Sequence, residues 1–467
     1  MARPADLPAG GREAVAKMRD AGVNPTAIAV FAGYYAQLVQ GATGLIPEAD
    51  IEPLADVPRL DDPCVSAEDV GALARTAIIR LNGGLGTSMG LSQAKTLLPV
   101  REGHTFLDLI VRQVRSARRR YGVRLPLLFL HSFSTQDDCL AALEAYPDLR
   151  VDDLPLDMRQ SEEPKLRQDT LAPVAWPAEP ALEWCPPGHG DLYPTMLDSG
   201  ILDALLDAGF AYASVSNSDN LGCAPSASLA GWFARSGAPF AAEITPRTPM
   251  DLKGGHLARR RADGRLILRE SAQTSPDEMA FFTDAARHPH AHCNNLWFDL
   301  QAVRSRLAAL DGVLGLPLIR NGKTVDPADP ASPAVWQLEC AMGAAIEVFD
   351  GASAIVVPRS RFVPVKTTNE LALLRSDVFD FGEDDVPRPV VQPLPVVSLS
   401  ADYRLIADFE ALMPHPLALR EATSLTVRGR WRFGADVRVV GDAVLGPEGG
   451  EVPDGTVLGD AARRSRS

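Results

Sequence analysis

The chain has 467 residues, 46% of them apolar and 23% charged, and a formal net charge of −14. That length holds about two to four domains and a large core, with the composition of an ordinary globular protein. The acidic balance argues against general nucleic-acid or anionic-membrane binding, which rests on basic patches, and no apolar run reaches the roughly 18 residues of a membrane span.

The start, Met1-Ala2-Arg3-Pro4-Ala5-Asp6, has no apolar h-region. Six scattered cysteines (Cys64, Cys139, Cys185, Cys223, Cys293, Cys340) form no Cys-x-x-Cys pair, which argues against a zinc site or a disulfide scaffold. A cytoplasmic location with reduced thiols is expected.

Residues 1–70 read as an N-terminal helical segment. Val15, Met18, Ile28, Phe31, Tyr34 and Leu38 recur at helical spacing. Asp50 to Cys64 is proline-rich and acidic and reads as a connector. From about Arg75 apolar strands alternate with helices. The expected strands are Ala77–Leu81, Leu125–His131, Ala211–Ser216, Phe240–Ile244 and Ile355–Pro358, with an amphipathic helix over Thr105–Arg119. The alternation predicts an α/β fold with a mixed, mostly parallel sheet flanked by helices over residues 71–385. Pro387 to Pro395 carries four prolines and opens a third unit, 386–467. There Ser424–Gly429, Trp431–Gly434, Val437–Gly441 and Ala443–Gly446 read as short strands punctuated by glycine, the spacing of stacked β coils. The tail, Arg463 to Ser467, reads as disordered.

The most telling stretch is Ile79-Arg80-Leu81-Asn82-Gly83-Gly84-Leu85-Gly86-Thr87-Ser88-Met89-Gly90, with Lys95 beyond it. Glycines let backbone N–H groups press against a bulky ligand, successive N–H groups make an anion-binding concavity, and a lysine adds a point charge for phosphate. The pattern is neither a Walker loop nor the Gly-x-Gly-x-x-Gly fingerprint. The loop is a nucleotide or sugar-phosphate site, or a ligand-free Gly-rich turn of a kind common in proteins.

These residues resemble the nucleotide-binding loop of the UTP–glucose-1-phosphate uridylyltransferases (UDP-glucose pyrophosphorylases) of eukaryotes and some bacteria. Further blocks follow in the family's order: Trp184-Cys185-Pro186-Pro187-Gly188-His189-Gly190-Asp191, Asn217-Ser218-Asp219-Asn220-Leu221-Gly222, Asp251-Leu252-Lys253-Gly254-Gly255, Asn294-Asn295-Leu296-Trp297, Lys323-Thr324-Val325-Asp326, Gln337-Leu338-Glu339 and Val357 to Thr368. The resemblance implies a nucleotidyltransferase (GT-A-like) core with a short C-terminal β-helix. It also implies attack of a sugar-1-phosphate oxygen on the α-phosphorus of UTP, assisted by Mg²⁺, with pyrophosphate leaving. Such a nucleophile arrives ionised, so catalysis rests on alignment and charge neutralisation.

By resemblance, Lys95 and Lys366 neutralise phosphates, and Asp219 is the Mg²⁺ ligand. Leu81, Asn82, Gly83, Gly84, Lys95, Gln160 and Gly188 hold the nucleotide, with Gln160 reading uracil through an amide that both donates and accepts. His189, Asn217, Asp219, Asn294, Asn295 and Lys366 hold the sugar phosphate. Taken alone, a lysine is ordinarily a solvated charge and an aspartate after a strand an Asx-turn residue. Arg359 and Arg361 steer phosphates or form a solvated edge. Departures from the family pattern stand at Ser92-Gln93-Ala94 before Lys95, at His292-Cys293 (usually Asn-Thr) and at Cys340 (usually Thr). Changes near a sugar pocket bear on which hexose is preferred. UTP and glucose-1-phosphate are the expected partners. A second hexose-1-phosphate, a UDP-sugar-using glycosyltransferase and a non-catalytic nucleotide-sugar-binding or scaffolding protein are the alternatives. The sequence does not give the oligomeric state.

Overall fold

The computed structural model describes residues 3–86, 89–248, 251 and 254–459. Thr87, Ser88, Leu252, Lys253 and the tail from Arg463 lie outside the described residues. The N-terminal segment forms two helices, α1 (Ala9–Asp20) and α2 (Pro25–Val39). Asn24 caps α2 by accepting from Thr26 N at 3.1 Å, with Pro25 at the first helical position, where its missing N–H costs nothing. Val15, Met18, Ile28, Phe31, Tyr34 and Leu38 are all buried. The 50–64 segment is more than a connector. Ile51–Pro53 pairs antiparallel with His256–Arg260, because Ile51 packs into a small apolar cluster with Ala258 and Ile267.

The central sheet has seven strands: β1 (Thr76–Asn82), β2 (Leu127–His131), β3 (Asp157–Arg159), β4 (Tyr212–Asn217), β5 (Phe240–Pro246), β6 (His290–Asp299) and β7 (Ser353–Val356). Their spatial order is β7-β5-β6-β4-β1-β2-β3. Every neighbouring pair is parallel except the two that involve β6. Each face has its own core. Ile78 points into one apolar cluster, and its neighbours Ala77 and Ile79 point into the other. A strand covered on both sides reads as a continuous apolar run rather than an alternating one. Between β1 and β2 lies α3 (Phe106–Tyr121), started by a Thr105–Asp108 capping box and stopped by Gly122 at φ 66°.

All strands but β6 run one way, so their carboxyl ends share one edge. Ligands in such sheets bind beyond that edge. The turns after Asn82, Arg159 and Asn217 all open there. The β5–β6 register shifts between Glu243 and Ile244, where the partner steps from Asn295 to His292. Cys293 and Asn294 form the bulge, with Asn294 at φ 54°. Bulges of this kind re-aim a side chain.

Beyond residue 395, Val396–Leu399, Ala418–Val427, Arg438–Leu445 and Val457–Gly459 form a four-stranded parallel sheet. Trp431–Phe433 and Gly450–Val452 form a parallel pair. The two strands expected at Val437–Gly441 and Ala443–Gly446 are one strand, Arg438–Leu445: Gly441, at φ 65°, keeps its pairing with Ala422, and the register shift beside it skips Thr423 on the neighbouring strand. The strands at Gly450–Val452 and Val457–Gly459 were not anticipated.

Beneath the site lies a buried ion pair. Glu243 on β5 is 0% exposed. Its two oxygens accept from Arg361 Nη2 and Nε, each at 2.8 Å, from Trp297 Nε1 at 2.9 Å and from Asn295 Nδ2 at 3.0 Å. Burial alone would raise this carboxyl; Arg361 and the hydrogen bonds outweigh burial and hold it below its ordinary value. Glu243→Ala strands the buried Arg361 guanidinium and should destabilise the protein by about 3–5 kcal/mol in urea unfolding. A loss under about 1 kcal/mol would show the pair to be dispensable.

Candidate active site

The loop after β1 and the turn after β4 meet at Lys95 and Asp219. Lys95 Nζ donates to Asp219 Oδ2 at 2.7 Å and also to the Val365 carbonyl. Val365 N in turn donates to Asp219 O at 3.2 Å. Two candidates far apart in sequence, Lys95 and Asp219, therefore share one contact with Val365, the residue before the third, Lys366. Asp219 Oδ1 is buried and has no hydrogen-bond partner among the described residues.

Lys366 itself is exposed, although its sequence neighbours are apolar. Its charge is felt at Glu270, whose pKa burial raises and the Lys366 charge lowers. The sequence reading passed over Glu270. It sits in no recognisable motif, and only the fold brings it opposite Lys366.

On the other side of the loop, Gly83 and Gly188 bracket Gln160. A Cβ on Gly83 would stand 2.3 Å from Gln160 Oε1. Gln160 Nε2 donates to Gly188 O at 3.2 Å, and Gln160 N donates to His131 O at 2.8 Å, holding the segment to the end of β2. Gly188 has φ 81°, and a Cβ there would meet Cys340 O at 2.6 Å and Cys340 N at 2.8 Å. Leu81 contributes its backbone, accepting from Ser218 N at 3.1 Å. Asn82 is 3% exposed and its side chain is already engaged. Thr96 Oγ1 donates to its Oδ1 at 2.9 Å, and its Nδ2 reaches His131 Nδ1 at 3.1 Å. It braces the loop from inside, and Gly84 lies exposed at the surface.

His189 Nδ1 accepts from Met342 N at 2.9 Å. Burial pushes the ring down to about 4, so at neutral pH it is uncharged, with its proton on Nε2 as a donor. Asn217 and Asn294 meet through Asn294 Nδ2 and Asn217 Oδ1 at 2.9 Å. Asn295 does not join them. It is 1% exposed and bonds Glu243 and Asn220 inside the sheet. The bulge turns Asn294 toward the site, and strand alternation turns Asn295 away from it.

Neither arginine behaves as the sequence suggested. Arg361 is the buried partner of Glu243, and Arg359 makes a bidentate pair with Asp251 at 2.8 and 3.0 Å. The departures from the family pattern also separate. Cys293 is 1% exposed, in the core. Cys340 packs under the 188–190 loop, where a Cβ on Gly190 would stand 2.5 Å from its Sγ. His292 lies near His189, and burial pushes it down to about 3.

The two bracketing glycines predict different failures. Gly188→Ala meets unyielding backbone at a positive φ and should cost about 1–3 kcal/mol in urea unfolding. Gly83→Ala meets only a movable amide, so stability should hold within about 1 kcal/mol while nucleotide affinity, read by titration, falls about tenfold. Equal behaviour of the two variants would refute this geometry.

The profile of the family described as UTP--glucose-1-phosphate uridylyltransferase matches residues 29–439. The chain is 37% identical to the UTP--glucose-1-phosphate uridylyltransferase of Saccharomyces cerevisiae over 397 residues, 84% of this chain and 78% of the yeast protein. It is 34% identical to that of Hordeum vulgare over 462 residues, 96% and 95% of the two chains. Among solved structures, it is similar to a mutant UDP-glucose pyrophosphorylase from Leishmania major in complex with UDP-glucose, with a TM-score of 0.92, 40% identity and coverage of 97% and 99%. It is also similar to the Trypanosoma brucei UDP-glucose phosphorylase, at TM-score 0.91, 39% identity and coverage of 97% and 98%. The chain belongs to the UTP--glucose-1-phosphate uridylyltransferase family.

Proposed function

We propose that the protein converts UTP and glucose-1-phosphate into UDP-glucose and pyrophosphate. The observation that carries this reading is the contact joining Lys95, Asp219 and Val365-Lys366 at the carboxyl edge of the sheet. It gathers phosphate-neutralising charge beside a glycine loop, and no Ser-His-Asp nucleophile is called for. The sugar-phosphate oxygen attacks the α-phosphorus; a new O–P bond forms as the bond to the bridging oxygen breaks, and that oxygen leaves with the electron pair as pyrophosphate.

In this reading Gln160, between Gly83 and Gly188, hydrogen-bonds the uracil edge. Lys95 offsets negative charge on the UTP phosphates, and Lys366 offsets it at the α-phosphate or the sugar phosphate. His189 donates its Nε2–H without changing protonation. Asn217 and Asn294 take sugar hydroxyls. Mg²⁺ fits at Asp219, whose buried Oδ1 is unpartnered. An ion that takes one or two carboxylates and completes its shell with water and phosphate needs no larger protein cage, and when bound it would neutralise triphosphate charge. The parallel strands beyond residue 395 read as a short β-helix following units 1–70 and 71–385. No described helix is long and apolar enough to cross a membrane, and six unpaired cysteines support a cytoplasmic setting.

Purified protein with Mg²⁺ and UTP should release pyrophosphate with glucose-1-phosphate. Galactose-1-phosphate is the informative comparison, because His292 stands where the family has asparagine. Lys366→Ala and Lys95→Ala should each lower kcat by about 100-fold or more, with unfolding unchanged for exposed Lys366. No release with any sugar phosphate would sink the proposal. His189 supplies a pH test. With its folded value near 4, His189→Ala should lower kcat/KM by one common factor at every pH from about 6 to 9. A shifted acid limb in that range would show that the ring titrates during turnover.

A further inference from the structure

Asp191 closes the block Gly188-His189-Gly190-Asp191, and neither the sequence reading nor the reaction gives it a task. It is 3% exposed and lies deep beside the base-reading end of the site. Its Oδ2 accepts from Ser161 N at 2.6 Å and from Thr195 Oγ1 at 2.9 Å. Ser161 is the residue after Gln160. One carboxylate oxygen thus ties the strand carrying Gln160 to the loop carrying Gly188, the two pieces that must face the same base.

Of the other ties across this junction, Gln160 Nε2 to Gly188 O is longer, at 3.2 Å, and the antiparallel pairing of Glu163–Pro164 with Trp184–Cys185 begins two residues beyond Ser161. Behind the loop, close packing is confined to one side, where Cys340 lies against Gly188 and Gly190. A cavity of about 230 Å³, lined by α2 residues such as Val30 and Tyr34 together with Gly190, Asp191 and Cys340, stands between the loop and the N-terminal helices. On that side the loop is held by backbone bonds, Gly190 N to Cys340 O at 2.9 Å and Cys340 N to Pro187 O at 3.1 Å. These fix the loop to the 340 segment.

We infer that Asp191 is a positioning residue for base recognition: by accepting from Ser161 N it sets the distance and angle between the Gln160 amide and the Gly188 backbone, and so the preference for uracil. This rests on the uridylyltransferase reading above. A base amide is discriminated by whether its donors and acceptors find partners, so a small splay between the two readers costs selectivity before it costs turnover.

The test measures pyrophosphate release against UTP and CTP for four proteins. Asp191→Ala should raise KM for UTP about tenfold, keep kcat within about threefold and lower the UTP-over-CTP preference about tenfold. Asp191→Asn, which keeps a neutral acceptor, should restore most of the preference. Thr195→Val removes the other donor and should leave the preference unchanged. Should the alanine variant not fold, Asp191→Glu, with its carboxylate displaced by one methylene, gives the same readout. Asp191→Ala with unaltered KM and preference, or Thr195→Val with the same loss, overturns the inference while the enzyme reading stands. Wild-type protein that releases nothing from UTP removes the reading and the inference together.

Discussion

The site rests on the buried pair between Glu243 and Arg361. Arg361 carries more than a charge: its carbonyl accepts from Asn220 Nδ2 at 3.1 Å and from Asn295 Nδ2 at 3.4 Å. Asn220 Oδ1 accepts from Val363 N at 2.9 Å. The segment running from Arg361 to Lys366 is thereby stitched to the turn carrying Asp219, and Val365 finishes the seam. A buried ion pair is weak evidence for stability, since desolvation offsets much of the attraction. Here its value lies in specificity of position. Two loops from distant parts of the chain must stand a few ångströms apart, and a directional, fully bonded network does that better than apolar packing.

Around this anchor, the site is shaped by close approach. Gly83 and Gly188 leave room that any side chain would fill, and Gln160 occupies the slot between them. The β6 bulge sends Asn294 out to Asn217 and keeps Asn295 inside. Overall the chain is acidic at −14, yet at the carboxyl edge of the sheet Lys95 is held by Asp219 and the Val365 carbonyl, next to Lys366 in the chain.

Local pattern explains much of what was legible. The β1 strand, the glycine loop after it, the capped α3 helix and the strand ending at Asn217 are each specified by residues within a turn or two of one another. Apolar runs, punctuating glycines and caps act over that range, and Lys95 and Asp219 could be picked out because they follow such strands. The C-terminal strands were legible for the same reason, with one misreading: Gly441 looked like a terminator, yet the strand runs through it, because the neighbouring parallel strand pairs with it at Ala422 and continues the ladder past it.

Sequence alone therefore determined the α/β alternation, the glycine loop after β1 and the residue types available there. Tertiary structure alone decided which of them meet. Arg361 is buried rather than solvated because Glu243, on another strand, lies within hydrogen-bond reach. Lys366 is exposed and opposite Glu270, despite apolar neighbours in sequence. Asn294 and Asn295, adjacent and identical, part ways because the register shift against β5 puts Asn294 in a bulge while Asn295 keeps its pairing with Glu243. Hydrogen bonds and charge pairs act over a few ångströms and are blind to separation along the chain, so their partners are set only once the sheet has closed.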